Sequence, residues 1–349
     1  MTIGGHSRAR VIGGVFGLGE ARTVLATPPP FMSERALALV NARSGFWLVV
    51  ERLAPRQVWL PSYVCGVLID VLADSQAQVR FYAVDQQLRV ADWAWVSEVQ
   101  ARDVVVLIDY FGFACAGEYI APLQARGACV LEDASQALLS TFDRSEADFV
   151  LFSPRKFVGV PDGGVLHIGA SALPWPDRLD APPADWWLKA FAASLQRQLF
   201  DAGAPDRDWY DLFLQAEATA PHGGYAISQL SRSLLMGQFD YELIARRRVA
   251  NYQRLLADLR ELALFPDLPP GTVPLGFPIR VRNRDRVRAA LFAANIFPPI
   301  HWPMHPRISR AFAASHQLAA EIMTIPCDQR YGPHDLAAMI SIISQVAEP

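Results

Sequence analysis

The sequence predicts an α/β protein with a large domain over residues 1–240, built on a mostly parallel sheet, and a small C-terminal α/β domain over residues 241–349. Short continuous apolar runs, of which Val104–Ile108 is the clearest, are typical of strands buried on both faces. These runs alternate with helical stretches, which implies parallel pairing through right-handed crossovers. A Pro- and Gly-rich stretch, Pro266–Gly276, then breaks the chain before a second set of elements.

The individual elements follow from this periodicity. Strands are predicted at Gln57–Leu60, Val79–Val84, Val104–Ile108, Ala128–Leu131, Asp148–Phe152 and Gly164–Ile168. Helices are predicted at Gly66–Ala73, Glu118–Ala125 and Trp186–Phe200, with one or two long helices over Ile227–Leu262. The C-terminal domain is predicted to contain strands at Phe277–Arg282 and Met323–Pro326 and helices at Asp285–Ala294 and Pro333–Val346.

The composition is that of a soluble globular chain with no nucleic-acid or membrane partner. Apolar residues make up 52% of the chain and charged residues 19%, which suits a well-filled core. A net charge of -3 gives no reason to expect binding to nucleic acid or anionic lipid. No run reaches the ~18 apolar residues of a membrane-spanning helix. The four cysteines, Cys65, Cys115, Cys129 and Cys327, lack zinc-site spacing and suit free thiols in a reducing cytoplasm.

Lysine is almost absent from the chain. Of the 32 basic side chains, only Lys156 and Lys189 are lysines, and all the others are arginines. Arginine serves wherever a positive charge suffices, but it does not supply a neutral, nucleophilic amine. Lys189 lies in an amphipathic stretch and suits a solvated helix face. Lys156 follows a predicted strand, which makes it the candidate for chemistry.

Polar side chains stand where two neighbouring predicted strands end. Asp133 and Gln136 follow one strand, and Ser153 and Lys156 follow the next. Ligands of parallel sheets bind beyond these carboxyl ends. A carboxylate placed there keeps the pyridine nitrogen of pyridoxal phosphate (PLP) protonated, as that cofactor requires, and an amide can donate to the ring oxygen. Burial and the neighbouring cation Arg155 are expected to favour the nucleophilic amine of Lys156.

A third segment suits the phosphate of the same cofactor. Ser44 and Gly45 stand near the start of an apolar helix that is predicted to run to Leu53. The first turn of a helix presents free backbone N–H groups and the positive end of the helix dipole, and both favour an anion. Ser44 is equally well explained as an ordinary N-cap.

The order of these segments resembles the DegT/DnrJ/StrS aminotransferases over nearly the whole chain. The similar pattern consists of the Ser-Gly helix start, Glu-Asp-Ala-Ser-Gln at 132–136, and Ser-Pro-Arg-Lys at 153–156 followed by Asp-Gly-Gly. Further similar segments are Gly13–Phe16, Pro61–Tyr63, Ile244–Tyr252, His301–His305 and Ile325–Pro326. The resemblance implies the PLP-dependent transferase fold type I, the fold of aspartate aminotransferase, and amino transfer to nucleotide-linked keto sugars.

The resemblance also implies a role for each candidate residue. Lys156 would bind PLP covalently and serve as general acid and base. Asp133 would pair with the ring nitrogen, and Gln136 would contact the ring hydroxyl. Ser44 and Gly45 would cradle the phosphate. Family members are typically homodimers with the site at the subunit interface, and glutamate is their usual amino donor.

The chain departs from the family pattern in three places. Leu151 stands where many members have a phosphate-binding serine, and Ser153 is the candidate replacement. Cys65 stands where an aromatic ring often stacks on PLP, and Tyr63 is the candidate replacement. The loop 222–228, which usually reaches into the partner subunit, lacks the family's Asn-Tyr-Arg-like motif.

Three other functions compete with amino transfer. One is PLP-dependent elimination or dehydration, but family dehydratases replace the lysine with histidine, and this chain keeps Lys156. A second is a catalytically inactive PLP-fold binding protein, against which the same retention argues. A third is a nucleotide-binding Rossmann protein, for which the glycine fingerprint after a strand is missing. For His301 and His305 the sequence leaves two roles open, contact with the substrate or a purely structural role.

Overall fold

The computed structural model describes residues 10–18, 29–33, 35–114, 117–144, 146–169, 175–176 and 178–348. Residues 1–9 of the predicted large domain and Cys115, for which we expected a free thiol, lie outside these ranges. Every candidate site residue lies within them.

The described residues form eleven strands and ten α-helices. The strands are β1 (Ile12–Gly13), β2 (Ala36–Leu39), β3 (Gln57–Pro61), β4 (Gln78–Tyr82), β5 (Val104–Ile108), β6 (Cys129–Asp133), β7 (Phe149–Phe152), β8 (Gly164–Ile168), β9 (Phe277–Arg280), β10 (Ile296–Phe297) and β11 (Ile322–Ile325). The helices are α1 (Ala42–Leu53), α2 (Gly66–Val71), α3 (Ile120–Ala125), α4 (Ala184–Asp201), α5 (Asp208–Ala218), α6 (Gln229–Gly237), α7 (Tyr241–Leu259), α8 (Arg284–Ala293), α9 (Ala313–Glu321) and α10 (Pro333–Val346).

Seven strands form one mostly parallel sheet, as the sequence predicted. Their order is β2-β8-β7-β6-β5-β3-β4. The pairs from β4 to β7 are all parallel, and β8 is antiparallel to both of its neighbours. Strand β5 reads Val-Val-Val-Leu-Ile and is buried throughout, because helices cover both faces of a parallel sheet.

Several elements of the structure were not predicted from the sequence. Strand β2 was not predicted, because its Ala-Leu-Ala-Leu sequence has no β-branched residue and its register comes from pairing with β8. The short strands β1 and β10 and the helices α5 and α9 were not predicted either. The stretch Ile227–Leu262, predicted as one or two helices, contains two. The first helix ends at Gly237, and the Asp240 side chain caps α7 by accepting from the Leu243 N–H at 2.8 Å.

The C-terminal part contains its own small antiparallel pair, β9 with β11. Strand β1 pairs in parallel with β10, so the N-terminal segment is attached to this part. A continuous apolar core joins the large sheet to β9, β11 and α10. The boundary at residue 240 falls between α6 and α7 and remains a prediction. Among the described residues, no helix is long and apolar enough to cross a membrane.

The sheet brings three chain segments to one edge. Asp109 follows β5, Asp133 ends β6, and Ser153 follows β7. The register pairs Ile108 with Asp133 and Asp133 with Leu151, so the three strand ends are level. Because these strands are parallel, their carboxyl ends line the same edge, where ligands of such sheets bind.

Candidate active site

Lys156 lies at this edge, on a single 3-10 turn, Pro154–Lys156, directly after β7. The turn closes with the Lys156 N–H donating to the Ser153 carbonyl at 3.1 Å. The Lys156 side chain is exposed, which differs from the burial expected from the sequence. The neighbouring cation of Arg155 is paired with Glu217 at 2.5 Å.

Asp162 fixes the chain that leaves this turn. Its carboxylate is fully buried and accepts from the Ser228 N–H and hydroxyl, both at 2.6 Å, and from the Ser231 hydroxyl at 2.5 Å. The indole N–H of Trp187 adds a fourth donor at 3.2 Å. These bonds attach the post-lysine loop to α6 and α4, so the Asp-Gly-Gly segment holds the turn in place.

Asp133 presents a carboxylate at the end of β6. Its Oδ1 accepts from the Ser135 N–H at 2.9 Å, which fixes the side chain at the strand end. Cys65, in the loop before α2, lies within electrostatic range of both Asp133 and Lys156. Burial raises the pKa of the Cys65 thiol, and the charge on Lys156 opposes that increase. The structure therefore brings Asp133, Lys156 and Cys65 together.

Gln136 follows Asp133 by three residues, and only the oxygen of its side-chain amide is hydrogen-bonded among the described residues. Its Oε1 accepts from the Phe111 N–H at 2.7 Å. Its Nε2 is buried and has no hydrogen-bond partner among the described residues. A buried amide donor without an acceptor is costly, and such a group indicates a missing partner or a functional role.

A buried ion cluster supports the strand ends from behind. Arg144 binds Asp109 at 2.9 Å and Glu132 at 3.1 Å, and it lies over the ring of Phe142. One guanidinium faces two carboxylates in a buried site. Burial and the nearby Asp109 carboxylate therefore raise the pKa of Glu132 to about 9, so this group keeps its proton at neutral pH.

The start of α1 differs in detail from the sequence prediction. Asn41 is the N-cap, and its Oδ1 accepts from the Ser44 N–H at 2.9 Å, so that N–H is not free. The Ser44 hydroxyl is buried and has no partner among the described residues. A Cβ added at Gly45 would lie 2.5 Å from the Cδ1 of Leu151, so close packing explains this glycine.

Tyr63 has a structural role that does not support the predicted stacking on a bound ring. Its side chain is 1% exposed. Its hydroxyl donates to the His301 carbonyl and accepts from the Trp302 N–H at 2.7 Å. The ring packs against Trp302 and Tyr110, with centroids 5.8 and 6.3 Å away. Tyr63 thus anchors the His301–Trp302 loop, while the part of Ser153 in phosphate binding remains a prediction.

His301 is held as a neutral imidazole near the lysine. Its Nδ1 lies 2.9 Å from the Thr324 hydroxyl, and its ring packs edge-on against Phe111 at 5.7 Å. Burial, together with the charge on Lys156, lowers the pKa of His301 to about 3. His305 lies farther out, 3.3 Å from Asp70 on α2.

An ion cluster beside Lys156 was not predicted from the sequence. Glu217, on α5, lies 2.5 Å from Arg155 and 3.6 Å from Arg43. Burial would raise the pKa of Glu217, but Arg155, Arg43 and Lys156 outweigh it and lower that pKa. Glu217 belongs to no motif, and it is 62 residues from Arg155 in the chain, so no local signal identified it.

Solved structures with a similar architecture include several aminotransferases. Spr1654 of Streptococcus pneumoniae, assigned as a sugar aminotransferase, is 15% identical, has a TM-score of 0.68, and matches over 89% of this chain and 85% of its own. PseC of Helicobacter pylori, an aminotransferase involved in the biosynthesis of pseudoaminic acid, is 13% identical, with a TM-score of 0.66 and coverage of 89% and 86%. A DegT/DnrJ/EryC1/StrS aminotransferase from Brucella abortus is 18% identical, with a TM-score of 0.60 and coverage of 89% and 86%.

No protein-family model matches the chain, and no curated protein matches it in sequence. At the identities of the structural matches, the likeness shows the fold. The chain has the α/β fold of the aspartate-aminotransferase type, fold type I of the PLP-dependent transferases, which confirms the fold class predicted from the sequence.

Proposed function

We propose that this chain is a PLP-dependent aminotransferase that moves an amino group from an amino acid, with glutamate as the expected donor, to a keto sugar, and that the sugar is nucleotide-linked. The observation that carries the proposal is the position of Lys156. It is one of two lysines in the chain, and it lies on the turn after β7, at the strand-end edge that also holds Asp133 and Gln136. The sugar aminotransferases among the structural matches support the same reaction class.

The donor and acceptor groups of the site fit PLP. Gln136 has a buried amide N–H group without a partner among the described residues, which suits a ring oxygen as acceptor. Asp133 has one carboxylate oxygen bonded to the chain, which leaves the other available to a ring N–H. The buried Ser44 hydroxyl, also unpartnered in the described part of the chain, is a third unused group.

When bound, PLP supplies an electron sink for the bonds at the amino-acid α-carbon. Asp133 would hold the proton on the ring nitrogen by charge pairing. Lys156 would bind the cofactor covalently at rest and, when free, would move a proton between the substrate carbon and C4′ of the cofactor. His301 is neutral, because burial and the charge on Lys156 lower its pKa to about 3, so it would not compete as a proton donor at neutral pH.

The first half-reaction with an amino donor tests the proposal. The purified chain is loaded with PLP, freed of excess cofactor and mixed with L-glutamate. We expect about one equivalent of 2-oxoglutarate per bound cofactor, together with loss of the visible absorption band. D-glutamate is the matched control. A folded, PLP-loaded chain that releases no oxo acid from any common amino acid would contradict amino transfer.

We also propose a homodimer. Helix α4 exposes Leu188, Leu195 and Leu199 on one face, with exposures of 56%, 37% and 52%, and the adjacent α5 exposes Leu214. Several exposed leucines on two neighbouring helices are typical of a protein interface. Light scattering should give twice the chain mass of 38.6 kDa. Leu195→Asp with Leu199→Asp should halve it, whereas Phe292→Asp, at a side chain of α8 that is 39% exposed, should not. A wild-type monomer at micromolar concentration would contradict the proposal.

A further inference from the structure

Arg43 and Arg155 converge on the carboxylate of Glu217 beside Lys156. The distances from the carboxylate are 3.6 Å to Arg43 and 2.5 Å to Arg155. The Arg43 and Arg155 side chains are largely enclosed, with exposures of 17% and 21%, whereas the Glu217 side chain is 34% exposed. The two cations are therefore fixed in the protein, and the anion between them is open to water on one side.

The charges of this cluster do not cancel. Two guanidiniums face one carboxylate, and Lys156 adds a further positive charge near Glu217. Arg43 makes only one additional contact among those described, to the Ala220 carbonyl at 3.2 Å. Two arginines around one oxyanion form the arrangement that proteins use to bind phosphate as well as carboxylate.

The location favours a phosphate monoester over other anions. Arg43 is the second residue of the twelve-residue helix α1, so the helix start adds N–H donors and a favourable dipole to the two guanidiniums. The buried Ser44 hydroxyl, unpartnered among the described residues, is the next residue. Arg155 immediately precedes Lys156, so the cluster lies on the same turn as the proposed covalent attachment.

We propose that Arg43, Arg155 and the start of α1 form the site for the phosphate group of PLP, and that Glu217 occupies this site until the phosphate displaces it. The proposal rests on the proposed function, because it assigns the other end of the same cofactor. It moves the main phosphate contacts from Ser44 and Gly45 to the two arginines. Glu217 acts as an internal anion that keeps the arginines paired when no cofactor is bound.

Comparison of PLP with pyridoxal tests this assignment, because pyridoxal has the same ring and aldehyde and lacks the phosphate. Binding of each is followed by the visible band and by quenching of tryptophan fluorescence. We expect Arg43→Gln to weaken PLP by roughly tenfold or more, as for loss of a charge-assisted contact, and to leave pyridoxal unchanged. Glu217→Gln should increase the affinity for PLP severalfold and leave the affinity for pyridoxal unchanged. Arg246→Gln, at an arginine that is 65% exposed on α7, is the matched control and should change neither.

Two results would overturn the site. One is an equal change of PLP and pyridoxal affinity in Arg43→Gln, or no change in either. The other is weaker binding of PLP to Glu217→Gln, which would make Glu217 a supporting residue instead of a competing anion.

Titration with inorganic phosphate, followed by calorimetry, separates this proposal from the proposed function. If neither PLP nor pyridoxal binds, the function fails, but phosphate should still bind Glu217→Gln more tightly than wild type, and Arg43→Gln should abolish that binding. No phosphate binding to Glu217→Gln, in a protein that retains its far-ultraviolet circular dichroism, would overturn the anion site.

Discussion

The two ends of the proposed cofactor site differ in how their polar groups are satisfied. At the ring end, Asp133 keeps a carboxylate oxygen that the Ser135 contact does not use, and Gln136 keeps an amide N–H group without a partner in the described chain. At the phosphate end, Arg43 and Arg155 are already paired with Glu217. The ring end is thus built with vacant hydrogen-bonding capacity, whereas the phosphate end contains an internal anion.

Because of this difference, the two ends would respond differently to a ligand. A ligand at the ring end would fill unsatisfied groups, so binding there would relieve a cost already present in the folded chain. A ligand at the phosphate end would exchange one ion pair for another, so its gain would be only the difference between two anions. Variants at the ring end should therefore change the affinity for both PLP and pyridoxal, whereas variants at the phosphate end should change the affinity for PLP alone.

The largest effect is expected at the ring end, from Asp133→Asn. The neutral amide supplies no charge to pair with a protonated ring nitrogen, and loss of an adjacent opposite charge lowers such a pKa by roughly one to three units. We expect the rate of oxo-acid release from glutamate to fall about 10- to 1,000-fold, with PLP still attached to Lys156. Stopped-flow absorbance measures this rate, and a rate within twofold of wild type would remove Asp133 from the site.

The second prediction concerns Glu132, in the ion cluster behind the ring end. Burial and Asp109 raise the pKa of Glu132 from 4.5 to about 9, so the folded chain retains a proton that the unfolded chain releases near pH 4.5. The free energy of unfolding of wild type therefore decreases as pH rises from about 4.5 to about 9. Glutamine does not ionise, so Glu132→Gln lacks this decrease. Its free energy of unfolding relative to that of wild type should rise by roughly 1–3 kcal/mol between pH 6 and pH 9.

Urea denaturation at pH 6, 7, 8 and 9 measures this difference. Glu98→Gln, which replaces an exposed carboxylate, is the control and should follow the wild-type curve. A constant difference between Glu132→Gln and wild type across the four pH values would show that Glu132 is already ionised at pH 6.

A smaller effect is expected from Gln136→Leu. Loss of one hydrogen bond to the ring should weaken PLP and pyridoxal equally, by about fivefold, because both contain the ring. This equality is what distinguishes the ring end from Arg43→Gln. The Phe111 N–H also loses its acceptor, so the stability of the cofactor-free chain is measured alongside. A lower affinity for PLP with an unchanged affinity for pyridoxal would place Gln136 at the phosphate end.

The smallest effect is expected from Ser44→Ala. The Ser44 hydroxyl is buried without a partner in the described residues, so its removal should leave the cofactor-free chain as stable as wild type or up to about 1 kcal/mol more stable. If Ser44 assists the phosphate, PLP affinity should fall a few-fold and pyridoxal affinity should not change. A stability loss above about 1 kcal/mol would mean that the hydroxyl has a partner in the free protein.

The ring end was accessible from the sequence, whereas the phosphate end was only partly so. Asp133 and Lys156 follow apolar runs, Val104–Ile108 was predicted with the bounds that β5 has, and strand ends of a parallel sheet meet by topology. The role of Asn41 as N-cap depends on where α1 begins, within a margin of a few residues that periodicity does not fix. Glu217 reaches the site only through the packing of α5, which no local pattern encodes.

Lys156 also shows what a single chain leaves undetermined. Burial of this residue was expected from its chemistry, yet its side chain is exposed in the structure. Exposure depends on everything that covers a residue, including the partner subunit that we propose, and the sequence around Lys156 contains none of that information. Tyr63 shows the same point, because its hydroxyl binds a loop 239 residues further along the chain, and stacking of its ring on a cofactor remains a prediction.

Binding of PLP by Lys156 can be tested directly, because the chain contains only two lysines. The chain is incubated with PLP, reduced with borohydride, digested and analysed by mass spectrometry. We expect one stoichiometric phosphopyridoxyl adduct, on Lys156, with exposed Lys189 as the internal control and no stoichiometric adduct in Lys156→Arg. Stoichiometric labelling of Lys189 in place of Lys156, or an unmodified chain that is fully folded, would contradict it.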